Sequence, residues 1–272
     1  MRVNGIDVGP NSNLVKAQLM ETNMSHVNLS GSDIRGAYFN NANLTGANLS
    51  HAVQSKNNWL TLVPHFLGAN LTDALLTGAD LRNADFTGAN LTGADLSGAR
   101  LLGAKFNGAI LYGTKLNRAE IRDTELNGVN FSYADLRGAN FMRSNLEGTN
   151  ISNSVLSDAI FSGANLSSAN LSNSDCSGAN FGGAIMVRTK LVETNLTNSN
   201  FGNANLSFAI LSNAEMTNTN LDLAFLLGTT MPDGSIPQPV PKDKPKPPIR
   251  KTNDHQYRYW VDHDEWENID EY

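Results

Sequence analysis

From Leu71 to Met231 every fifth residue is apolar, apart from one cysteine, and the residue two places earlier is small. The run comprises 33 consecutive centres, from Leu71, Leu76, Leu81 and Phe86 to Leu221, Leu226 and Met231. The partner positions are Ala, Ser or Thr, with one Val at Val129. No ordinary secondary structure can bury such a series. An α-helix turns about 100° per residue, so a step of five spreads the apolar positions around every face. A strand alternates with period two, so a step of five reverses the side chain each time. A solenoid can bury them if each five-residue unit forms one side of a coil and then turns a corner. Coils must then stack, because one coil alone has no interior.

The phenylalanines set the number of sides. Phe141, Phe161, Phe181 and Phe201 recur at intervals of twenty, as do Phe66, Phe86 and Phe106. Four sides of five residues would place each set in a stack, so the spacing predicts a four-sided coil rather than a three- or five-sided one. Asn or Asp usually precedes the centre, and Gly, Asn or Asp is frequent two places after it. Those residues suit tight corners. Coils about 4.8 Å apart would give a rod on the order of 50 Å long.

The succession ANLTG-ADLSG-ANLTG resembles the repeat of the pentapeptide-repeat family over roughly residues 12–231. That resemblance implies an all-β fold, a right-handed quadrilateral β-helix, and says little about biochemical role. The segment Met231–Ile236, MPDGSI, is similar to the close of the array in many cyanobacterial members. In the quinolone-resistance branch, some rods imitate duplex DNA and bind DNA gyrase.

An earlier array, centred on Leu14, Leu19, Met24, Leu29, Ile34, Phe39, Leu44 and Leu49, is out of phase with the later one. Two extra residues, or seven, or more must be absorbed between them. The organisation is therefore an N-terminal cap (1–11), a first array (12–50), an inserted loop (51–65), the main array (66–236), a proline-rich linker (237–248) and a tail (249–272). The loop carries Trp59, Leu60 and Leu62, which either fold back on the coil or dock a partner. The linker holds six prolines and cannot enter a sheet interior. The tail concentrates Tyr257, Tyr259, Trp260, Trp266 and Tyr272 beside many acids. A pure linker lacks aromatics. The tail therefore docks: on the last coil of its own rod, on a symmetry mate, or on another protein as a recognition segment.

Catalysis is not expected. The five histidines all lie outside the long array, so its many serines have no base. A regular rod offers no deep cleft. No metal-ligand spacing, cofactor motif or phosphate-cradling loop is present, and none of these ligands is expected. The single Cys176 sits at a centre, which predicts a buried thiol and fits a reducing compartment. No stretch reads as a signal peptide or membrane span, so a cytoplasmic location is expected.

Residues 1–231 hold 17 acidic and 14 basic side chains. Arg100, Lys105, Lys115, Arg118, Arg122, Arg137 and Arg143 gather at mid-rod, interrupted by Glu120, Asp123, Glu125 and Asp135. Duplex DNA carries a negative charge every ~1.7 Å, so this waist is a poor imitation of phosphate and a poor nucleic-acid site. Tyr112 and Tyr133 fall in the same zone, and Tyr with Arg is typical of protein interfaces. The sequence reading is a non-enzymatic protein-binding scaffold or regulator. Its candidate contacts are Trp59, Leu60, Leu62, Tyr112, Arg118, Arg122, Tyr133, Trp260 and Trp266. A homodimer through a rod end or the tail is also open, and the alternative function is a DNA mimic directed at gyrase.

Overall fold

A computed structural model describes residues 1–53 and 62–237, together with the backbone of two short strands further on. Each five-residue unit forms one side of a coil. The residue before each centre pairs in parallel with its counterpart twenty residues on, as in the column Asp95, Lys115, Asp135, Val155, Asp175, Asn195. Four such columns run along the rod. In most coils three backbone hydrogen bonds join a side to the one above: a corner amide donates, as Ser168 does to the Val187 carbonyl (2.8 Å), and two bonds flank the centre. The Leu166 amide donates to the Ile185 carbonyl above (2.6 Å), and the Ile185 amide donates to the Ala164 carbonyl below (2.9 Å). Most sides inside the array thus find partners for their backbone groups in both directions.

Centres and small partners point inward and are buried together in one continuous core. Phe141, Phe161, Phe181 and Phe201 stack with centroids 4.9, 5.1 and 4.8 Å apart. The second stack is longer than its twenty-residue spacing suggests, because Phe39 joins Phe66, Phe86 and Phe106 at 5.0 Å. Where Ser or Thr replaces alanine as the inward partner, its hydroxyl finds a carbonyl. Ser154 donates to Phe131 (2.9 Å), Ser174 to Ile151 (2.9 Å) and Thr229 to Leu206 (2.7 Å). Buried hydroxyls are tolerated on that condition. Cys176 is fully buried, and burial pushes its thiol far above the usual range, with nearby Asp175 adding to the shift.

The phase break resolves to seven inserted residues. Tyr38 pairs with His65, twenty-seven residues on, and Asn43 with Asn70. The coil itself runs through Val53, which pairs with Asp33, and His65 pairs with both Tyr38 and Asp85. Residues 51–53 and 65 therefore belong to coil sides, although the sequence reading set them in the loop. They keep the outward and inward register of their neighbours, while the centre after Val53 would be the polar Gln54. The chain re-enters at Pro64, which is buried in the small-partner position.

The two ends differ. At the N-terminus, β1 (Arg2–Val3) and β2 (Ile6–Asp7) form an antiparallel hairpin. Val3 and Ile6 pack on the core, Val8 is buried, and the Met1 and Val8 backbones bond reciprocally at 2.8 and 3.1 Å. At the C-terminus, Met231 and Pro237 are buried and a turn at Gly234 closes one part of the last coil. Gly234 adopts φ +80°, which its lack of a Cβ permits. Beyond it β3 (Pro239–Val240) pairs in parallel with β4 (Tyr259–Trp260).

Candidate functional site

Tyr112 and Tyr133 come from consecutive coils and meet on the wall. Their ring centroids lie 5.4 Å apart at 56°. Tyr112 immediately follows the centre Leu111, and Ile110 immediately precedes it, so both point outward from one side. Tyr112 is 43% exposed, Tyr133 59%, and Ile110 is similarly open. Tyr133 occupies a corner at φ +61°. That region is costly for a bulky side chain, and most corners here use Gly, Asn or Asp instead.

The arginines do not join this pair. Arg118 occupies a later corner and runs beneath Gly138 in the next coil, whose added Cβ would fall 3.5 Å from the Arg118 Cγ. Arg122 lies one side further on, beside Glu120 at 3.9 Å. The basic residues thus spread over three sides of the tube, leaving out the side of Ile110 and Tyr112, and most of their charge is matched locally. Arg82 and Arg100 approach Asp80 at 2.6 and 3.6 Å, Arg137 meets Asp135 at 2.5 Å, and Arg143 reaches Asp123 at 2.7 Å. The Arg143 hydrogen bond holds the Asp123 carboxyl below the usual range. Hydrogen bonds from Arg137 and Asn117 do the same for Asp135, against the opposing effect of burial. A shallow depression on a neighbouring side is lined by Asp85, Lys105, Asp123 and Glu125 among others. Burial alone would raise the Asp85 carboxyl; bonds from Thr87 and the charges of Lys105 and His65 outweigh it and lower the pKa. Among the described residues no group of His, Cys, Asp and Glu could hold a metal, and no helix is long and apolar enough to cross a membrane.

Of the loop residues, Leu62 is half-buried against the coil below. Its carbonyl accepts from the Gly36 amide at 3.2 Å, and its side chain fills the space above that glycine. Trp59 and Leu60 lie outside the described residues, as does Trp266; Trp260 is described only by its backbone in β4.

Sequence reasoning passed over a second exposed apolar group. Ile185 and Phe225 stand in one wall column, two coils apart, with Phe208 at the adjoining corner and Leu223 at the preceding one. Phe208 folds over Gly228, where an added Cβ would come within 2.7 Å of the ring, and the Arg188 guanidinium sits 5.9 Å from the Phe208 centroid. The signal was in the register: an apolar residue just before a centre, or at a corner, has nowhere to go but outward.

The sequence matches the description "Pentapeptide repeats" in eight copies spanning residues 22–53 and 65–228. No protein of curated function matches it. Among solved structures it is similar to HetL, a pentapeptide repeat protein involved in heterocyst differentiation regulation from the cyanobacterium Nostoc sp. strain PCC 7120. The identity is 28% over 83% of this chain and 92% of HetL, with a TM-score of 0.38. QnrB1, a plasmid-mediated fluoroquinolone resistance protein, is 17% identical over 66% of this chain and 88% of its own, with a TM-score of 0.46. Rfr23, a pentapeptide repeat protein from the cyanobacterium Cyanothece 51142, is 25% identical over 45% of this chain and 90% of its own, with a TM-score of 0.22.

Proposed function

This chain belongs to the pentapeptide repeat family, whose fold is a right-handed quadrilateral β-helix, and from its own surface we propose that it is a non-enzymatic protein-binding scaffold. The observation that carries this reading is the tyrosine pair on the wall. Tyr112 and Tyr133 are exposed, in contact, flanked by exposed Ile110, and one of them is held at a backbone angle where Asn or Gly would cost less. Strained side chains persist where something else selects for them. Tyrosine is also the residue that gives large contact area with few torsions to fix, and it is common at binding hot spots.

The ion pairs tell against the rival reading of phosphate mimicry. A DNA-like surface needs unpaired negative charge at short intervals, whereas Asp80, Asp123 and Asp135 are each engaged by an arginine. The binding partner is then a protein surface that presents apolar or aromatic groups to the tyrosines, with the charged neighbouring sides setting orientation.

The test is affinity capture from the native lysate with the full chain and with the Tyr112→Ser/Tyr133→Asn double variant. Asn is at home at corners, so the variant keeps the coil. The scaffold reading requires a partner that the full chain retains and the variant loses. Equal retention by both chains would move the contact elsewhere, and inhibition of gyrase supercoiling at micromolar protein would favour the DNA mimic.

A further inference from the structure

The backbone ladder is interrupted at one junction between coils. Below it, on the side of Phe66, Phe86 and Phe106, the ladder is closed: Phe86 donates to Lys105 and Gly88 to Asn107, each at 2.9 Å. Above it the ladder is closed again, with Leu126 donating to Asn145 and Gly128 to Glu147, both at 2.8 Å. Between them the amides of Gly103, Phe106, Gly108, Glu125 and Asn130 have no hydrogen-bond partner among the described residues. Lys105 still stands opposite Glu125, so the coils keep their register across the break. The break coincides with the end of the phenylalanine stack. Leu126, not a ring, follows Phe106, while on the adjoining side Phe131 follows Leu111. The shallow depression opens at the same place, and Gly103, Asn107 and Asn127 are part of its lining.

Two Asn–Gly pairs face each other across this junction, Asn107–Gly108 below and Asn127–Gly128 above. Their settings match closely. All four residues are exposed, the glycines turn corners at φ +67° and +66°, and a Cβ on either would meet nothing within 4 Å. They differ in one bond. The Gly128 amide is held by the Glu147 carbonyl, whereas the Gly108 amide is free among the described residues. That difference bears on the chemistry of the pair. In an Asn–Gly sequence the glycine nitrogen can attack the asparagine Cγ; its proton passes to solvent and the side-chain nitrogen leaves as ammonia. The product is a five-membered succinimide. Water then opens the ring, giving isoaspartate if it attacks the main-chain carbonyl and aspartate if it attacks the side-chain carbonyl. A glycine N–H fixed in a ladder cannot turn toward Cγ until the ladder opens locally, so a closed ladder suppresses the first step.

We propose that Asn107–Gly108 is a self-modification site of the folded rod, converted through a succinimide to isoaspartate and aspartate, and that Asn127–Gly128 is shielded by its ladder bond. The reaction needs no partner but water. It places a new carboxylate in a depression that already holds Asp85, Asp123 and Glu125 beside Lys105. The isoaspartate product also lengthens the main chain by one carbon, one corner away from Ile110 and Tyr112.

Ageing the full chain at mildly alkaline pH in heavy-oxygen water, followed by peptide mass mapping, tests this. Label should enter the peptide containing residue 107 roughly ten times faster than the peptide containing residue 127, since only the latter must first break a ladder bond. In urea, where no ladder remains, the two rates should converge. Gly108→Asn keeps a residue that these corners accept and replaces the unhindered nucleophile, so it should abolish the fast reaction at 107. The third pair, Asn4–Gly5, lies between β1 and β2 outside the coils, and its peptide is read separately. Equal native rates at 107 and 127, or no reaction at 107 in the folded chain, would overturn the proposal. So would a difference that persists undiminished in urea, because it would then belong to the local sequence and not to the broken ladder.

Discussion

The wall between residues 80 and 143 and the wall between 145 and 220 enclose the same kind of core and are built from different chemistry. The lower stretch carries arginine–carboxylate pairs on its sides and corners. The upper stretch replaces them with amide ladders. Asn200 donates to Asn180 at 3.1 Å, Asn220 donates to Asn200 at 2.8 Å, Asn165 to Asn145 at 3.2 Å, and Asn195 to Asp175 at 3.1 Å. The ladder oxygens also accept from the amide two residues on, as Asn200 does from Gly202 at 3.0 Å. The core does not notice the change: the phenylalanine stack runs from Phe141 to Phe201 through the upper stretch, and its counterpart from Phe39 to Phe106 enters the lower. Stability is set inside, so the outward positions are free to differ. That freedom is what would let one stretch of a uniform rod serve as the proposed binding surface.

If core and wall are separable in this way, substitutions should rank accordingly. The largest effect belongs to Phe161→Ala, which removes a ring buried between Phe141 and Phe181. A loss of about 3–5 kcal/mol is expected from urea denaturation. A loss under 1 kcal/mol would mean that the coils do not share a packed lumen. Next comes Asn200→Ala in the ladder, which frees one bond from Asn220, one to Asn180 and one from Gly202. About 1–2 kcal/mol should be lost in the same measurement. Removing charge from the lower wall should cost least: Arg137→Gln with Arg143→Gln should shift stability by less than Asn200→Ala does, because both arginines are exposed and screened. A larger loss would show that the ion pairs support the fold and are not spare.

The pH dependence sharpens the same contrast. Asp123 and Asp135 have folded pKa values below the ordinary carboxylate value, chiefly through their arginine bonds. Their contribution is therefore present above the unfolded pKa of about 3.9 and is lost as pH falls through the folded value. Asp123→Asn/Asp135→Asn should be less sensitive than the unaltered chain to acid below about pH 4, by a small margin in thermal melts. Identical acid profiles would remove the two pairs from the account.

Much of this was legible in the residues. A spacing of five with phenylalanines at twenty determines the coil, and it marks Cys176 as buried because a centre has only one direction to point. The size of the insertion was not legible: spacing shows a phase difference, and seven residues look like two until Tyr38 is seen opposite His65. Nor was the dispersal of the arginines. Arg118 and Arg122 are near Tyr112 and Tyr133 along the chain, but two corners of the tube separate Tyr112 from Arg122. The half-covered end was hidden for a different reason. The repeat runs on to Met231 with full regularity, and only stacking by twenties shows that Met216 and Leu221 are left half-exposed among the described residues.

Spin labels at Ser97 and Thr197 test the winding itself most directly. Both follow a centre on the same side of the tube, next to the paired column from Asp95 to Asn195, five coils apart. Pulsed electron resonance should then give a single narrow distance of about 24 Å. A broad distribution, or a distance well away from that value, would contradict a coil that advances one strand spacing for every twenty residues.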